Sequence, residues 1–249
     1  MIRLKNSAQI ALMKESGRIT GEALALAEEM IREGVSTKEI DTKIREYIEK
    51  CGAKPSFLGY GGFPASACIS INDEIIHGIP SPKRFLSEGD IVKIDVGAFK
   101  GGFHGDAART FAVGKVSESA ADLIRVTREC FFEGVSRIRP DARLGDVSSA
   151  IQAHAESYGY GVVRQYVGHG IGAALHESPD VPNYGTQGRG QRLVAGMAIA
   201  VEPMINIGSH EVKVMADGWT VKTADGSLSA HYENTVVITP DGNILTTLI

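Results

Sequence analysis

Residues 91–111 read IVKIDVGAFKGGFHGDAARTF, two strand-like runs that flank Lys100-Gly101-Gly102 and carry one aspartate each. Glycine supplies the positive φ that tight hairpin turns need, so the stretch predicts a β-hairpin. If Lys100-Gly101 is the two-residue loop, Asp95 and Asp106 face each other directly. Carboxylates in such a pair repel, because their Cβ atoms lie about 4.5–5.5 Å apart. The hairpin therefore predicts either a bound cation or a shared proton.

Helices and strands alternate in a regular order around this hairpin. Apolar side chains recur at steps of three and four after Ser7, and Ser36 with Glu39 forms a capping box, so two helices are expected first. The pattern predicts two helices and then strands, twice over. Helices are expected at about 7–34, 36–52, 119–139 and 144–159, and strands at about 67–76, 90–98, 103–113, 161–166, 197–206, 211–223 and 232–239.

The second half of the chain repeats the first at a constant separation of 107 residues. Matching positions include Ile40 with Val147, Ile44 with Ile151, Gly52 with Gly159, Gly61 with Gly168, Leu86 with Leu193, Gly89 with Gly196, Ile94 with Val201, and Asp95 with Glu202. We therefore expect one α+β domain over residues 1–249, built from related halves at roughly 8–114 and 115–240. Carboxylates from both halves are expected to face a shared centre.

Composition excludes several classes of protein. The chain has 249 residues and a formal net charge of −4, so no basic surface indicates nucleic acid or an anionic membrane. Its apolar runs are too short to span a bilayer, and its start lacks the apolar core of a signal peptide. The three cysteines show no CxxC spacing, which argues against a disulfide framework or a thiolate zinc site. A cytoplasmic location is expected.

Two further acids and one histidine lie in similar apolar surroundings. Glu202 lies in MAIAVEPMINIG, Glu233 in AHYENTVVIT and His169 in VGHGIG. Each could be a structural group, but four acids in apolar strands need compensation because burying unpaired charge is costly. Four carboxylates match the charge of two divalent ions. Oxygen-rich ligation with one imidazole suits Co, Mn, Fe or Zn, and a water between two such ions indicates a hydrolase.

Taken in order, the motifs resemble those of type I methionine aminopeptidases, peptidases of the pita-bread fold. They are FLGYGGFPASACISINDEIIHGIP, IDVGA, HGDAARTF, GHGIG, LHE, VEP, DGWTVKT and YENT. The resemblance runs nearly end to end. It implies two pseudo-symmetric α+β halves whose antiparallel sheet is covered by helices. It also implies a monomer, in the short form without an N-terminal zinc-binding extension.

The resemblance assigns the metal ligands and the reaction. Asp95 corresponds to the acid that chelates one ion, Asp106 and Glu233 to the bridging carboxylates, and His169 and Glu202 to the remaining ligands. A water bridging the two ions is the implied nucleophile, and Glu202 is the implied proton shuttle. The implied activity is hydrolytic removal of the N-terminal methionine from nascent proteins whose second residue is small. Contact with the ribosome near the exit tunnel is a further expectation.

The resemblance also assigns a substrate site. His77 and His176 correspond to histidines that contact the substrate at the scissile bond, with His176 donating to the carbonyl oxygen. An aromatic and sulfur-containing pocket suits a polarizable thioether, although the same side chains could be ordinary core. The pocket residues are Tyr60, Phe63, Cys68 and Trp219, with Phe57 and Leu175 as neighbours.

Two histidines and two alternatives remain open. His231 stands where glutamine is common in the family, and we expect it to hydrogen-bond the ligands rather than to be an additional ligand. His104 could face the site and is given no role. The alternative functions are an X-Pro-specific pita-bread peptidase and a non-catalytic pita-bread protein that binds partners or RNA.

Overall fold

Helices packed on antiparallel sheets make up the protein in a computed structural model that describes residues 2–248, and this confirms the predicted α+β class. The helices are α1 (Ser7–Met30), α2 (Thr37–Lys50), α3 (Glu118–Val135) and α4 (Leu144–Ser157). The strands are β1 (Lys54–Pro55), β2 (Ala67–Ile71), β3 (Glu74–Ile76), β4 (Ile91–Lys100), β5 (Phe103–Ala112), β6 (Gly161–Val162), β7 (Gly168–Gly170), β8 (Glu177–Val181), β9 (Ala198–Val201), β10 (Met204–Asn206), β11 (Val212–Val214), β12 (Val221–Thr223), β13 (Ser229–His231), β14 (Asn234–Thr239) and β15 (Gly242–Leu245). A 3-10 turn spans Tyr60–Gly62.

The helix starts follow local capping chemistry. The predicted capping box is present in α2, where Glu39 N donates to Ser36 Oγ and Ser36 N donates to the Glu39 carboxylate. Helix α1 has a second capping box, which the sequence reading missed, between Asn6 and Gln9. Both boxes satisfy backbone N–H groups that the first helical turn leaves free.

The β4–β5 hairpin forms, but the predicted register is wrong. Asp95 lies opposite Ala108 and Asp106 lies opposite Gly97, so the loop is Gly101-Gly102 instead of Lys100-Gly101. Both loop glycines have positive φ, 62° and 87°, as a type I′ turn requires. The two aspartates are therefore diagonal neighbours. They still share one face of the hairpin, because Asp95 and Gly97 are two residues apart.

A backbone contact joins this hairpin to strand β14. Ala108 and Glu233 exchange N–H···O=C hydrogen bonds, and Thr235 Oγ1 accepts from Asp106 N and donates to Asp106 O. Strand β5 belongs to the sheet of β1, β4 and β2, whereas β14 belongs to the sheet of β15, β9, β7 and β8. This contact brings Asp106 of strand β5 close to Glu233, which directly precedes strand β14.

Separate apolar clusters lie on either side of the contact. One packs α1 and α2 against β2, β4 and β5, and another packs α3 and α4 against β9, β10, β13 and β14. A third cluster includes Phe57, Phe63 and Leu175. The cavity that holds Asp95 and Asp106 opens onto this third cluster. No helix within residues 2–248 is long and apolar enough to cross a membrane.

Candidate active site

The four predicted carboxylates and the predicted histidine line one cavity of about 530 Å³. Asp95 comes from β4 and Asp106 from β5, while Glu202 directly follows β9 and Glu233 directly precedes β14. His169 is the middle residue of β7. Strands from two sheets therefore bring together side chains that are up to 138 residues apart in the sequence.

Among residues 2–248, the carboxylates have no basic partner to neutralise them. Within the described chain, none of the four forms an ion pair with lysine or arginine. Buried oxygens of Asp95, Asp106 and Glu233 lack any hydrogen-bond partner among residues 2–248. Burial raises the pKa of all four carboxyls, and mutual repulsion raises those of Asp106, Glu202 and Glu233 further. Divalent cations supply the missing positive charge, so these residues fit a metal centre.

The orientation of His169 also fits a cation. Its Nδ1 donates to the Gly170 carbonyl at 2.9 Å, which leaves the Nε2 lone pair facing the cavity. That Nε2 atom lies 3.8 Å from Asp106 Oδ2 and 3.8 Å from Glu202 Oε1. Burial lowers the pKa of His169 to about 3, so the ring is neutral. A cation between these atoms would be bound by the nitrogen lone pair and by the carboxylate oxygens together.

Glycines allow the His169 strand to pack this closely. A Cβ on Gly168 would lie 2.3 Å from the Ala200 carbonyl oxygen, and one on Gly170 would lie 2.3 Å from the Ser178 carbonyl oxygen. Glycine at both positions therefore allows the neighbouring backbone to approach closely. Opposite β7, the Asn183 side chain donates to the Glu202 carbonyl at 2.9 Å and fixes that end of β9.

His77 and His176 reach the same cavity from different loops. Tyr60 Oη lies 3.0 Å from His176 Nδ1, and the rings of His176 and His169 have centroids 4.1 Å apart. If Tyr60 donates, His176 keeps its hydrogen on Nε2. His77 has φ of 59°, a strained value for a histidine, and burial lowers its pKa to about 4. Both rings are held as neutral groups at the cavity wall.

The predicted pocket residues form an apolar wall beside the carboxylates. Phe57, Phe63, Cys68 and Leu175 are all less than 9% exposed and belong to the third cluster. Phe63 packs edge to face on Trp219, with ring centroids 5.2 Å apart. At the rim, Tyr60 is 43% exposed. The cavity thus has a charged end and an apolar end.

His231 is nearly fully buried, at 1% exposure, beside Glu202 and Glu233. The expected hydrogen bond to the ligands is absent, because both ring nitrogens lack a partner within residues 2–248. His104 bonds Ser56 Oγ through Nδ1 at 2.9 Å and stacks on Phe99, outside the cavity lining.

Seven cavity residues were not predicted as site residues: Ile76, Tyr166, Val167, Gly168, Glu177, Ser178 and Asp180. Tyr166 lies edge to face with His77. Glu177 forms a buried ion pair with Lys5 at 2.7 Å. The place of Glu177 directly after His176 was a signal, and the GHGIG motif lies close to Tyr166. Asp180 gave no local signal, because strand β8 itself was not predicted.

Comparison with known proteins gives matches over the whole chain. Residues 11–240 match the sequence profile described as metallopeptidase family M24. A methionine aminopeptidase of Clostridium acetobutylicum is 54% identical over 248 residues, which cover 100% of this chain and 99% of that protein. A methionine aminopeptidase of Clostridium perfringens is 55% identical over 249 residues and is covered completely in both directions.

Solved structures show the same fold. The methionine aminopeptidase of Thermotoga maritima superposes with a TM-score of 0.98 at 44% identity, with 100% of both chains covered. The prolidase of Pyrococcus furiosus superposes with a TM-score of 0.80 at 26% identity, covering 99% of this chain but 65% of that one. These matches confirm the expected pita-bread fold and the expected resemblance.

Proposed function

This chain belongs to metallopeptidase family M24, and we propose that it is a methionine aminopeptidase, which removes the N-terminal methionine from new proteins whose second residue is small. The observation that carries the proposal is the convergence of four carboxylates and one imidazole, without lysine or arginine partners in the described chain, on a cavity with an apolar end. Membership of the family implies divalent metal.

We assign two divalent ions to Asp95, Asp106, His169, Glu202 and Glu233. The net charge of four carboxylates supports the number two, and the mixed oxygen and nitrogen donors suit Co, Mn, Fe or Zn. When bound, the ions supply a water that is a nucleophile at neutral pH and stabilise developing negative charge. Asp95 would hold one ion, and Asp106 and Glu233, which lie on the two strands of the β5–β14 contact, would be shared by both ions.

Three side chains act on the substrate in this proposal. Glu202 takes a proton from the attacking water and delivers it to the leaving amine. His176 donates from Nε2 to the carbonyl oxygen as charge develops there, in the tautomer in which Tyr60 donates to its Nδ1. His77, which lines the same cavity, contacts the nitrogen side of the scissile bond.

The apolar end of the cavity accounts for the preference for a methionine side chain at the N-terminus of the substrate. A thioether gains favourable contacts at the edges of aromatic rings, and Phe63 and Trp219 present such rings beside Cys68. Phe57 and Leu175 complete this wall, and Tyr60 closes the rim. A charged side chain would lose its hydration here without gaining a partner.

An X-Pro peptidase is the second candidate, because prolidases share the fold. The chain covers only 65% of the Pyrococcus furiosus prolidase, whereas it covers 99–100% of the two Clostridium methionine aminopeptidases. Coverage and identity therefore favour methionine removal. The substrates are N-termini of nascent polypeptides, so we place the enzyme in the cytoplasm, as a monomer working near the ribosomal exit tunnel.

A panel of Met-Xaa-peptides with the metal-reconstituted enzyme tests the proposal. We expect rapid release of methionine from Met-Gly peptides and slow release from Met-Leu peptides. The Xaa-Pro bond of Xaa-Pro peptides should not be cleaved. Glu202→Ala should lower kcat by 10²-fold or more, the scale of general acid–base catalysis. Glu118→Ala, which alters an exposed glutamate at the start of α3, is the matched control. Preferred cleavage of Xaa-Pro peptides, or undiminished turnover by Glu202→Ala, would reject the assignment.

A further inference from the structure

His231 is a buried polar side chain whose ring nitrogens make no hydrogen bond within residues 2–248. It is 1% exposed. Leaving a buried polar group unpaired costs free energy, so such groups in folded proteins usually have a hydrogen-bond partner or a bound ion. The surroundings of the ring show which kind of partner fits.

The spacing around His231 matches the spacing around His169. His231 Nε2 lies 3.7 Å from Glu202 Oε2 and 3.9 Å from Glu233 Oε2. His169 Nε2 lies 3.8 Å from Asp106 Oδ2 and 3.8 Å from Glu202 Oε1. The two carboxylate oxygens of Glu202 therefore face different imidazoles, one on each side.

These distances are too long for hydrogen bonds and are a few tenths of an ångström longer than the spacing of two atoms that bind one ion. N–H···O hydrogen bonds are about 2.7–3.2 Å long. Two donor atoms that each bind an ion at about 2.1 Å lie roughly 3.4–3.6 Å apart at angles of 109–120°. Glu202, His231 and Glu233 each offer one ligand atom, and these atoms lie within 4.8 Å of one another, as do those of Asp106, His169 and Glu233.

The backbone holds His231 in this position. His231 N donates to Thr110 Oγ1 at 2.9 Å, and Thr110 Oγ1 donates to His231 O at 2.9 Å. The residue also pairs with Met204 in the β10–β13 ladder. The orientation of the side chain thus follows from strands on two sides and needs no support from the ring nitrogens.

We propose that His231 is a metal ligand, and that Glu202, His231 and Glu233 form a second imidazole-containing cation-binding group beside Asp106, His169 and Glu233. The proposal rests on the proposed function, because it extends the same metal centre. It has a consequence for metal choice. A second imidazole favours Zn²⁺, Co²⁺ and Ni²⁺ over Mn²⁺ and Mg²⁺, which prefer oxygen donors.

Nitrogen NMR of the histidine rings tests this directly. Metal-free protein with ¹⁵N-labelled histidine is titrated with Zn²⁺, and the ring nitrogens of each histidine are followed. We expect Nε2 of both His169 and His231 to change from the free to the metal-bound chemical shift. His231→Gln identifies its own signals, and His154→Gln, at a surface histidine that bonds Glu129, is the control. This readout needs no catalytic activity.

Affinity gives a second measurement. His231→Gln should weaken Zn²⁺ binding at one site at least tenfold and change Mn²⁺ binding less than threefold, whereas His154→Gln should change neither. The proposal is overturned if His231 keeps the free shift at saturating Zn²⁺ while His169 moves. In that case the enzyme can still release methionine, and only the His231 assignment fails. If both rings bind zinc but methionine is not released, the proposed function fails and the His231 assignment stands.

Discussion

Asp95→Asn should make the metal-free protein more stable and the metal-loaded protein less stable relative to wild type. The Asp95 carboxyl is buried next to Asp106 and the two glutamates, and this burial raises its pKa to about 7. A carboxyl with a raised pKa contributes stability that is complete below its unfolded value of 3.8 and is lost as the pH rises through about 7. Asparagine keeps the shape and removes the charge.

The expected size follows from that pKa. The difference between about 7 and 3.8 corresponds to roughly 4 kcal/mol once the carboxyl is ionised. Because Asp106 shares the charge with Asp95, we expect a gain of about 2–4 kcal/mol at pH 8 and about 1 kcal/mol at pH 4.5. For a chain of this size, that gain at pH 8 raises Tm by about 5–15 °C.

Thermal unfolding in EDTA, followed by circular dichroism at both pH values, measures the effect. Asp122→Asn is the control, because Asp122 is a surface acid paired with Arg125 and should change stability by less than about 0.5 kcal/mol. Co²⁺ at 1,000 times its Kd should reverse the order, since an ion at that concentration adds about 4.1 kcal/mol to a protein that binds it, which exceeds the gain from asparagine. Equal Tm values for metal-free wild type and Asp95→Asn at pH 8 would refute the reasoning.

Two further predictions concern the substrate end of the cavity. Trp219 is the only tryptophan and lies against Phe63, so L-methionine at saturation should shift its fluorescence, while L-lysine at the same concentration should not; an unchanged spectrum would count against the pocket. Burial lowers the pKa of His77 to about 4, below its ordinary 6.5, so the stability that it contributes is complete above pH 6.5 and is lost as the pH falls toward 4. The pKa difference corresponds to roughly 3 kcal/mol, and urea unfolding of metal-free His77→Asn should therefore show a flatter pH dependence than wild type between those values. Parallel pH profiles for the two proteins would contradict this.

Much of the site was predictable because its residues stand out from their immediate sequence neighbours. An acid inside an apolar strand, as at Asp95 or Glu202, conflicts with its neighbours, and the conflict is visible in the sequence alone. All thirteen residues chosen for the site line the same cavity. The roles assigned to them stay predictions, as do the boundaries of the two halves.

The hairpin register was not predicted correctly, although the turn itself was. Lys100-Gly101-Gly102 contains two overlapping two-residue loops, and only Gly101-Gly102 has glycine at both positions that need positive φ. The predicted Lys100-Gly101 loop would have required a positive φ at Lys100, which lysine rarely adopts. The conclusion that both aspartates share a face still holds. The residue opposite Asp95 is Ala108 instead of Asp106, and residues two apart in a strand point to the same face.

Long-range contacts account for what the sequence did not reveal. The unpaired ring of His231 depends on how β13 lies against Thr110, and the place of Asp180 depends on the pairing of β8 with β7. Neither pairing leaves a periodic trace, since both strands are short. His231 lies two residues before Glu233, so strand alternation predicts that both face the same side, but this pattern cannot tell a hydrogen bond from a metal ligand.

Anomalous diffraction from crystals soaked in Mn²⁺ tests the central claim most directly. We expect two anomalous peaks among Asp95, Asp106, His169, Glu202 and Glu233, with both ions in contact with Asp106 and Glu233. A saturated crystal with no peak there, or with a lysine or arginine side chain turned into the carboxylates, would contradict the account.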